Sequence, residues 1–129
     1  GFVLPCVFTE RINKADVLNS GDLPADSIIT IQCNSYVAPE DGYGLKITNI
    51  TTNEFIQINY DIKLDEVITI DTSKCSVKSS INGDILRYIT DTSVFFKLAC
   101  GINKIEAINM NTSSNISIFM EFYNVLGGI

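Results

Sequence analysis

Apolar residues alternate with polar ones over short runs, and each run ends in a cluster of Asn, Asp, Gly, Ser or Pro. Residues 28–33 show the pattern well: Ile29, Ile31 and Cys33 fall on one face at the period of two that a pleated strand requires. The same reading predicts strands at 2–8, 16–19, 45–49, 54–60, 67–71, 75–79, 94–98, 105–108 and 116–123. Pro5 lacks a backbone N–H and so places the first strand at a sheet edge. Thr51-Thr52-Asn53 links 45–49 to 54–60 as a hairpin, with Ile56, Ile58 and Tyr60 opposed to Phe55, Gln57 and Asn59. In the last strand Ile116, Ile118, Met120 and Phe122 alternate against Ser117, Phe119, Glu121 and Tyr123.

Between these runs the turn chemistry is dense. Asn19-Ser20-Gly21-Asp22 is a turn cluster, and 36–44, with Pro39, Asp41, Gly42 and Gly44, reads as a loop. Asn82-Gly83 is expected to take positive φ at both central positions of a tight hairpin. Gly101-Ile102-Asn103-Lys104 is expected to reverse the chain after Leu98, while 84–90 fits one helical turn about as well as a strand. About ten strands are too many for one flat sheet. The expected fold is all-β, with two antiparallel sheets packed as a β-sandwich and no helix longer than two turns.

Composition agrees with that class. The apolar share is 46%, dominated by Ile, Val, Phe and Tyr, whose branched or aromatic side chains suit a half-buried pleated surface. A length of 129 residues fits one domain, since domains typically hold roughly 100 to 150. Gly1 is an unusual start for a natural chain and suggests a fragment of something longer. The net charge of −6, with nine scattered cations, argues against nucleic acid and against an anionic membrane surface as partners. No apolar run approaches the ~20 residues of a membrane-spanning helix.

Chemistry is sparse. Without His, the Ser-His-Asp and Cys-His arrangements and His-based metal chemistry are absent. No glycine-rich phosphate loop is present, because Gly127-Gly128 ends the chain and Asp41-Gly42-Tyr43-Gly44 precedes no helix. Cys6, Cys33, Cys75 and Cys100 lack liganding spacing, so reduced, buried thiols are expected and neither a disulfide nor a metal site. No cofactor is implied. The 15 acidic residues lie mostly in polar turns, where a solvated surface places them, and a glycosidase pair has no motif to support it. Asp71 and Asp91 each precede Thr-Ser, which Asx turns explain without calcium. Three Asn-X-Ser/Thr triplets, starting at Asn49, Asn111 and Asn115, carry no weight without a secretory context. Saccharide sites pair aromatic faces with planar polar groups; Trp is missing, and the best patch is Tyr36 and Tyr43 flanking a loop with Glu40 and Asp41. The competing view is that these tyrosines cap the core with the hydroxyl in water.

Taken in order, several segments resemble the C-terminal domain of siphophage tail component proteins, the distal tail family. They are Glu66-Val67-Ile68-Thr69-Ile70-Asp71-Thr72, Asn82-Gly83-Asp84, Phe95-Phe96-Lys97-Leu98, Gly101-Ile102-Asn103-Lys104-Ile105 and the aromatic strand at 116–123. Upstream, Asn19-Ser20-Gly21-Asp22 is similar to the family's N-x-G-D turn, and 47–58 to its I-x-N-x-T-T hairpin. Two positions depart: Cys100 stands where the family often has Pro, and Cys33-Asn34 ends a strand where the family has Gly.

The resemblance implies a galectin-like or carbohydrate-module-like jelly roll over 1–129, the C-terminal domain of a longer tail protein of a phage or prophage. It implies a virion structural protein at the tail tip or baseplate, made in the bacterial host cytoplasm, that docks other proteins for host adsorption and catalyses nothing. The implied partners are the tail tube, a tape-measure or tail-lysin protein and a receptor-binding protein. The implied full-length assembly is a hexameric ring, with the isolated domain a monomer. The alternative is a carbohydrate-binding module for a cell-wall polysaccharide, using Tyr36, Tyr43, Glu40 and Asp41.

Overall fold

A computed structural model describes residues 2–8 and 12–122, with side chains from residue 14 onward. Among the described residues ten strands form two antiparallel sheets, as the alternation predicts. One sheet orders β1 (Phe2–Phe8), β10 (Asn115–Phe122), β3 (Ser27–Ser35), β6 (Val67–Asp71), β7 (Ser76–Ser79) and β8 (Gly83–Asp84). The other orders β2 (Ile12–Asn19), β9 (Gly101–Asn109), β4 (Leu45–Asn49) and β5 (Glu54–Ile58). The strand of Pro5 lies at an edge, as expected.

The period of two decides which side chains meet between the sheets. Ile29, Ile31, Ile68 and Ile70 face inward from the first sheet, and Val17, Ile47, Ile56 and Ile58 from the second. Each is essentially inaccessible to water, and burying one such side chain contributes roughly 1.5 to 3 kcal/mol. Phe96 and Leu98 fill the core from a connecting segment, with Phe95 partly buried against the core.

Several local expectations change or are settled. Residues 94–98 form no strand: the segment is held by single contacts, Val94 N–H to Phe55 O (2.8 Å) and a two-way pair between Leu98 and Ala25. Residues 101–104 are not a turn but the start of β9, where only Gly101 has positive φ, at 90°. At the β7–β8 hairpin Ser79 pairs with Gly83 across a three-residue link, and Gly83 alone takes positive φ (70°), not Asn82. The stretch 84–90 resolves into a short 3₁₀ turn, Leu86–Tyr88. Cys33 is buried, but Cys75 and Cys100 are exposed, because both fall in turns outside the inward phase of a strand. The side chain of Cys6, and Gly1, Tyr123 and Gly127-Gly128, lie outside the described residues.

The free side of β5 is covered. After the 3₁₀ turn the chain runs alongside it, with Asn59 N–H bonding Tyr88 O (2.9 Å), Thr90 N–H bonding Gln57 O (3.0 Å) and Gln57 N–H bonding Ser93 Oγ (2.9 Å). Covering the edge removes a row of open backbone groups that would otherwise recruit other strands. It also carries Tyr88 to the side of Tyr60.

Candidate functional site

Beyond Ile58 the chain keeps its inward phase through Tyr60 and Ile62, so Tyr60 remains buried although β5 has ended. Its ring meets Tyr88 edge to face, with centroids 5.2 Å apart. Its hydroxyl donates to Glu66 Oε2 and accepts from Asn82 Nδ2. Glu66 stands in phase with Ile68 and Ile70, one step before β6, which forces its carboxylate inside: its exposure is 0%. There it accepts bonds from the Tyr60 and Ser79 hydroxyls and from the Lys63 N–H (2.8 Å). No cation pairs with it among the described residues, so neutral donors satisfy the buried charge. Burial, followed by the bond to Glu66, raises the Tyr60 phenol above its ordinary value of 10.0. Burial also raises the Cys33 thiol, helped by Asp65, Glu66 and Asp61, which leaves that thiol unreactive.

Above this network lies an open cleft of about 480 Å³, lined by Pro39, Tyr43, Asn59, Tyr60, Asp61, Lys63, Asn82 and Tyr88. Its two charged groups cancel, with Lys63 Nζ 2.6 Å from Asp61 Oδ2. That carboxylate, followed by the Tyr36 hydroxyl, holds the Lys63 ammonium above the usual lysine range.

The four residues expected to bind saccharide separate here. Tyr43 lines the cleft and is 50% exposed. Tyr36 packs against the core beside it: its hydroxyl donates to Asp61 Oδ2 (2.8 Å) and accepts from Lys63 Nζ (3.0 Å), and the ammonium sits 4.9 Å from its ring centre. Glu40 and Asp41 are exposed and lie outside the cleft wall. Sequence reasoning did not single out Tyr60, Glu66, Asn82 or Tyr88. The available signal was Glu66, a charged residue in the inward phase of a strand.

At the other end of the β4–β5 hairpin an amide network takes the place of the carboxylate. Asn103, fully buried, accepts from Ala99 N–H (2.8 Å) and Asn49 Nδ2 (3.0 Å) and donates to Ala99 O (2.8 Å), Gly101 O (3.2 Å) and Val17 O (3.3 Å). Asn19 donates to Leu23 O (3.0 Å) and Leu98 O (3.1 Å) and accepts from Gly21 N–H. Asp71, as expected, makes an Asx turn: Ser73 N–H (3.0 Å) and Oγ (2.7 Å) both donate to it, and the hydroxyl holds its carboxyl below the usual range. Among the described residues no three His, Cys, Asp or Glu side chains gather as a metal site would need. Nor, among the described residues, is any helix long and apolar enough to cross a membrane.

Comparison with known proteins adds what geometry does not carry. The family model described as siphovirus-type tail component, C-terminal domain, matches residues 20–123. Among solved structures, the chain is similar to the crystal structure of SPP1 Dit (gp 19.1), described as a paradigm of the hub adsorption apparatus in phages infecting Gram-positive hosts. The match has 14% identity and a TM-score of 0.62, and it covers 95% of this chain and 47% of that one. The chain therefore spans about half the length of that protein, and at this identity the likeness speaks for the fold. No curated protein matches in sequence.

Proposed function

The chain belongs to the siphovirus-type tail component family, in the region of its C-terminal domain, and on that premise we propose that it is a protein–protein docking module of the phage tail tip. The observation that carries this reading is the family match over residues 20–123. The surface supports it. On the outer face of the four-stranded sheet Leu18 and Ile102 stand directly opposite each other, 55% and 58% exposed, with Ile50 just past the end of β4, bonded to Lys104 O of β9. Water-facing aliphatic pairs of this kind suit contact with another protein. Docking needs shape and apolar area, and no residue is assigned a catalytic role.

In the proposed assembly the rest of a longer protein forms a hexameric ring on the tail tube, also meeting the tape-measure or tail-lysin protein. This domain then stands at its periphery and holds the receptor-binding protein, after synthesis in the host cytoplasm. Biolayer interferometry between the purified domain and the receptor-binding protein of the same phage tests the reading. Saturable binding that Leu18→Asp and Ile102→Asp weaken at least tenfold is expected. Binding that is absent, or untouched by both substitutions, overturns docking through this face.

A further inference from the structure

We propose that the cleft between Tyr43, Asn59, Asn82 and Tyr88 binds a neutral saccharide. The inference does not depend on docking through Leu18 and Ile102, and it keeps Tyr43 of the loop patch while replacing Tyr36, Glu40 and Asp41 with Asn59, Asn82 and Tyr88.

The lining selects the ligand by chemistry. At about 480 Å³ the cleft falls within the range of small-ligand sites, roughly 300 to 1,000 Å³. The charges of its lining are spent on each other, since Lys63 and Asp61 form an ion pair at 2.6 Å, and the Arg87 guanidinium beside it is stacked on Tyr88 and bonded to Asp84 O (3.2 Å). What remains is neutral and bifunctional. Asn59 Oδ1 accepts from Gln57 Nε2 (3.3 Å), and its Nδ2 has no partner among the described residues. Asn82 Nδ2 is committed to Tyr60, which leaves its Oδ1 open. An unused amide donor and an unused amide acceptor flank aromatic rings, and a sugar presents hydroxyls on its edge and C–H groups on its face.

The rings of Tyr60 and Tyr88 are held in place before any ligand arrives. Tyr88 is fixed on one side by the Arg87 guanidinium, 4.7 Å from its centre, and edge to face by Tyr60. Tyr60 is in turn fixed by buried Glu66. Tyr43 precedes Gly44, whose φ of 109° and bond from Met110 N–H (3.0 Å) fix the loop end. A site with preset walls loses little conformational entropy on binding. The lone aliphatic lining residue, Pro39, offers poor grip to an apolar peptide.

The test is NMR titration of the 129-residue chain with soluble oligomers of N-acetylglucosamine, glucose, galactose and rhamnose, each taken to its solubility limit. Saturable shifts confined to the Tyr43, Asn59, Asn82 and Tyr88 signals are expected for at least one of them. Tyr43→Ala weakens that binding about tenfold through loss of the ring face, whereas Tyr43→Phe retains it. Asn59→Ala weakens it severalfold, and Lys74→Ala, exposed and outside both the cleft and the docking face, changes nothing. Absence of shifts with all four sugars, shifts elsewhere, or full binding by Tyr43→Ala overturns the proposal. If the receptor-binding protein of the same phage perturbs these signals and no sugar does, the cleft is a protein-docking surface and the saccharide reading falls. Docking through Leu18 and Ile102 stands or falls separately.

Discussion

The two ends of the β4–β5 hairpin solve the same problem with opposite chemistry. At the Asn49 end, Asn103 satisfies a backbone turn with one neutral amide that both gives and accepts. At the Ile58 end, Glu66 collects two hydroxyls and an N–H around a buried charge. An amide can close a turn on itself because it matches the backbone's own donors and acceptors. A carboxylate only accepts, so donors must come to it from the 60–63 segment and from Ser79 on β7, and their convergence builds the floor of a cleft. The first arrangement leaves nothing over for a ligand. The second holds Tyr60 and Asn82 in fixed positions beneath an open space.

The largest expected effect separates the two ends through their glycines. At Gly44 an added Cβ would overlap the Ile58 carbonyl oxygen, and the backbone is already at φ 109°. Gly44→Ala should cost about 3 to 5 kcal/mol by urea unfolding followed by circular dichroism. Gly101, at φ 90°, has open space where a Cβ would point, so Gly101→Ala should cost only about 1 to 2 kcal/mol. Equal losses would mean that the close approach at the cleft end is not needed.

Charge swaps come next. Asn103→Asp aims a carboxylate at three carbonyl oxygens and should cost about 3 kcal/mol or more, exceeding Asn103→Ala. Glu66→Ala should cost about 2 to 4 kcal/mol by leaving buried hydroxyls without an acceptor. Glu66→Gln, which keeps shape and one acceptor, should cost less. If the neutral end tolerated Asp better than the acidic end tolerated Gln, the contrast drawn here would be wrong.

The smallest effect is a pH slope. Because Tyr60 is held protonated above its ordinary 10.0, the unfolded chain releases that proton first as pH rises. Its contribution is complete below about pH 10 and is lost as pH climbs through the higher folded value, at no more than about 1.4 kcal/mol per unit. Unfolding free energies measured between pH 9 and 11 should fall less steeply in Tyr60→Phe than in the parent chain. Parallel slopes would remove Tyr60 from the account.

Most strands were legible, since Ile29-x-Ile31-x-Cys33 or Leu45-x-Ile47 can bury its apolar members in only one phase. The buried polar groups were legible in part: Asn19 shares the phase of Val17, Asn49 that of Ile47, Ser79 that of Val77 and Glu66 that of Ile68. A polar residue on the apolar face announces a partner without naming it. The segment 94–98 misled because Val94 to Leu98 has strand composition, yet β5 is already flanked by β4 and by residues 88–94, so only single bridges form there. Gly101-Ile102-Asn103 misled because the turn signal belongs to the side chain of Asn103, which bonds back to Ala99 from within a strand.

By itself, then, the sequence determined the class, the inward faces and the absence of histidine chemistry, because alternation and composition act locally along the chain. Tertiary structure alone decided that Tyr43 joins Tyr88 and Asn82 and not Glu40 and Asp41. Asn82 and Tyr88 lie about forty residues beyond Tyr43 in sequence and are brought to it by one buried carboxylate and by the chain that covers the edge of β5.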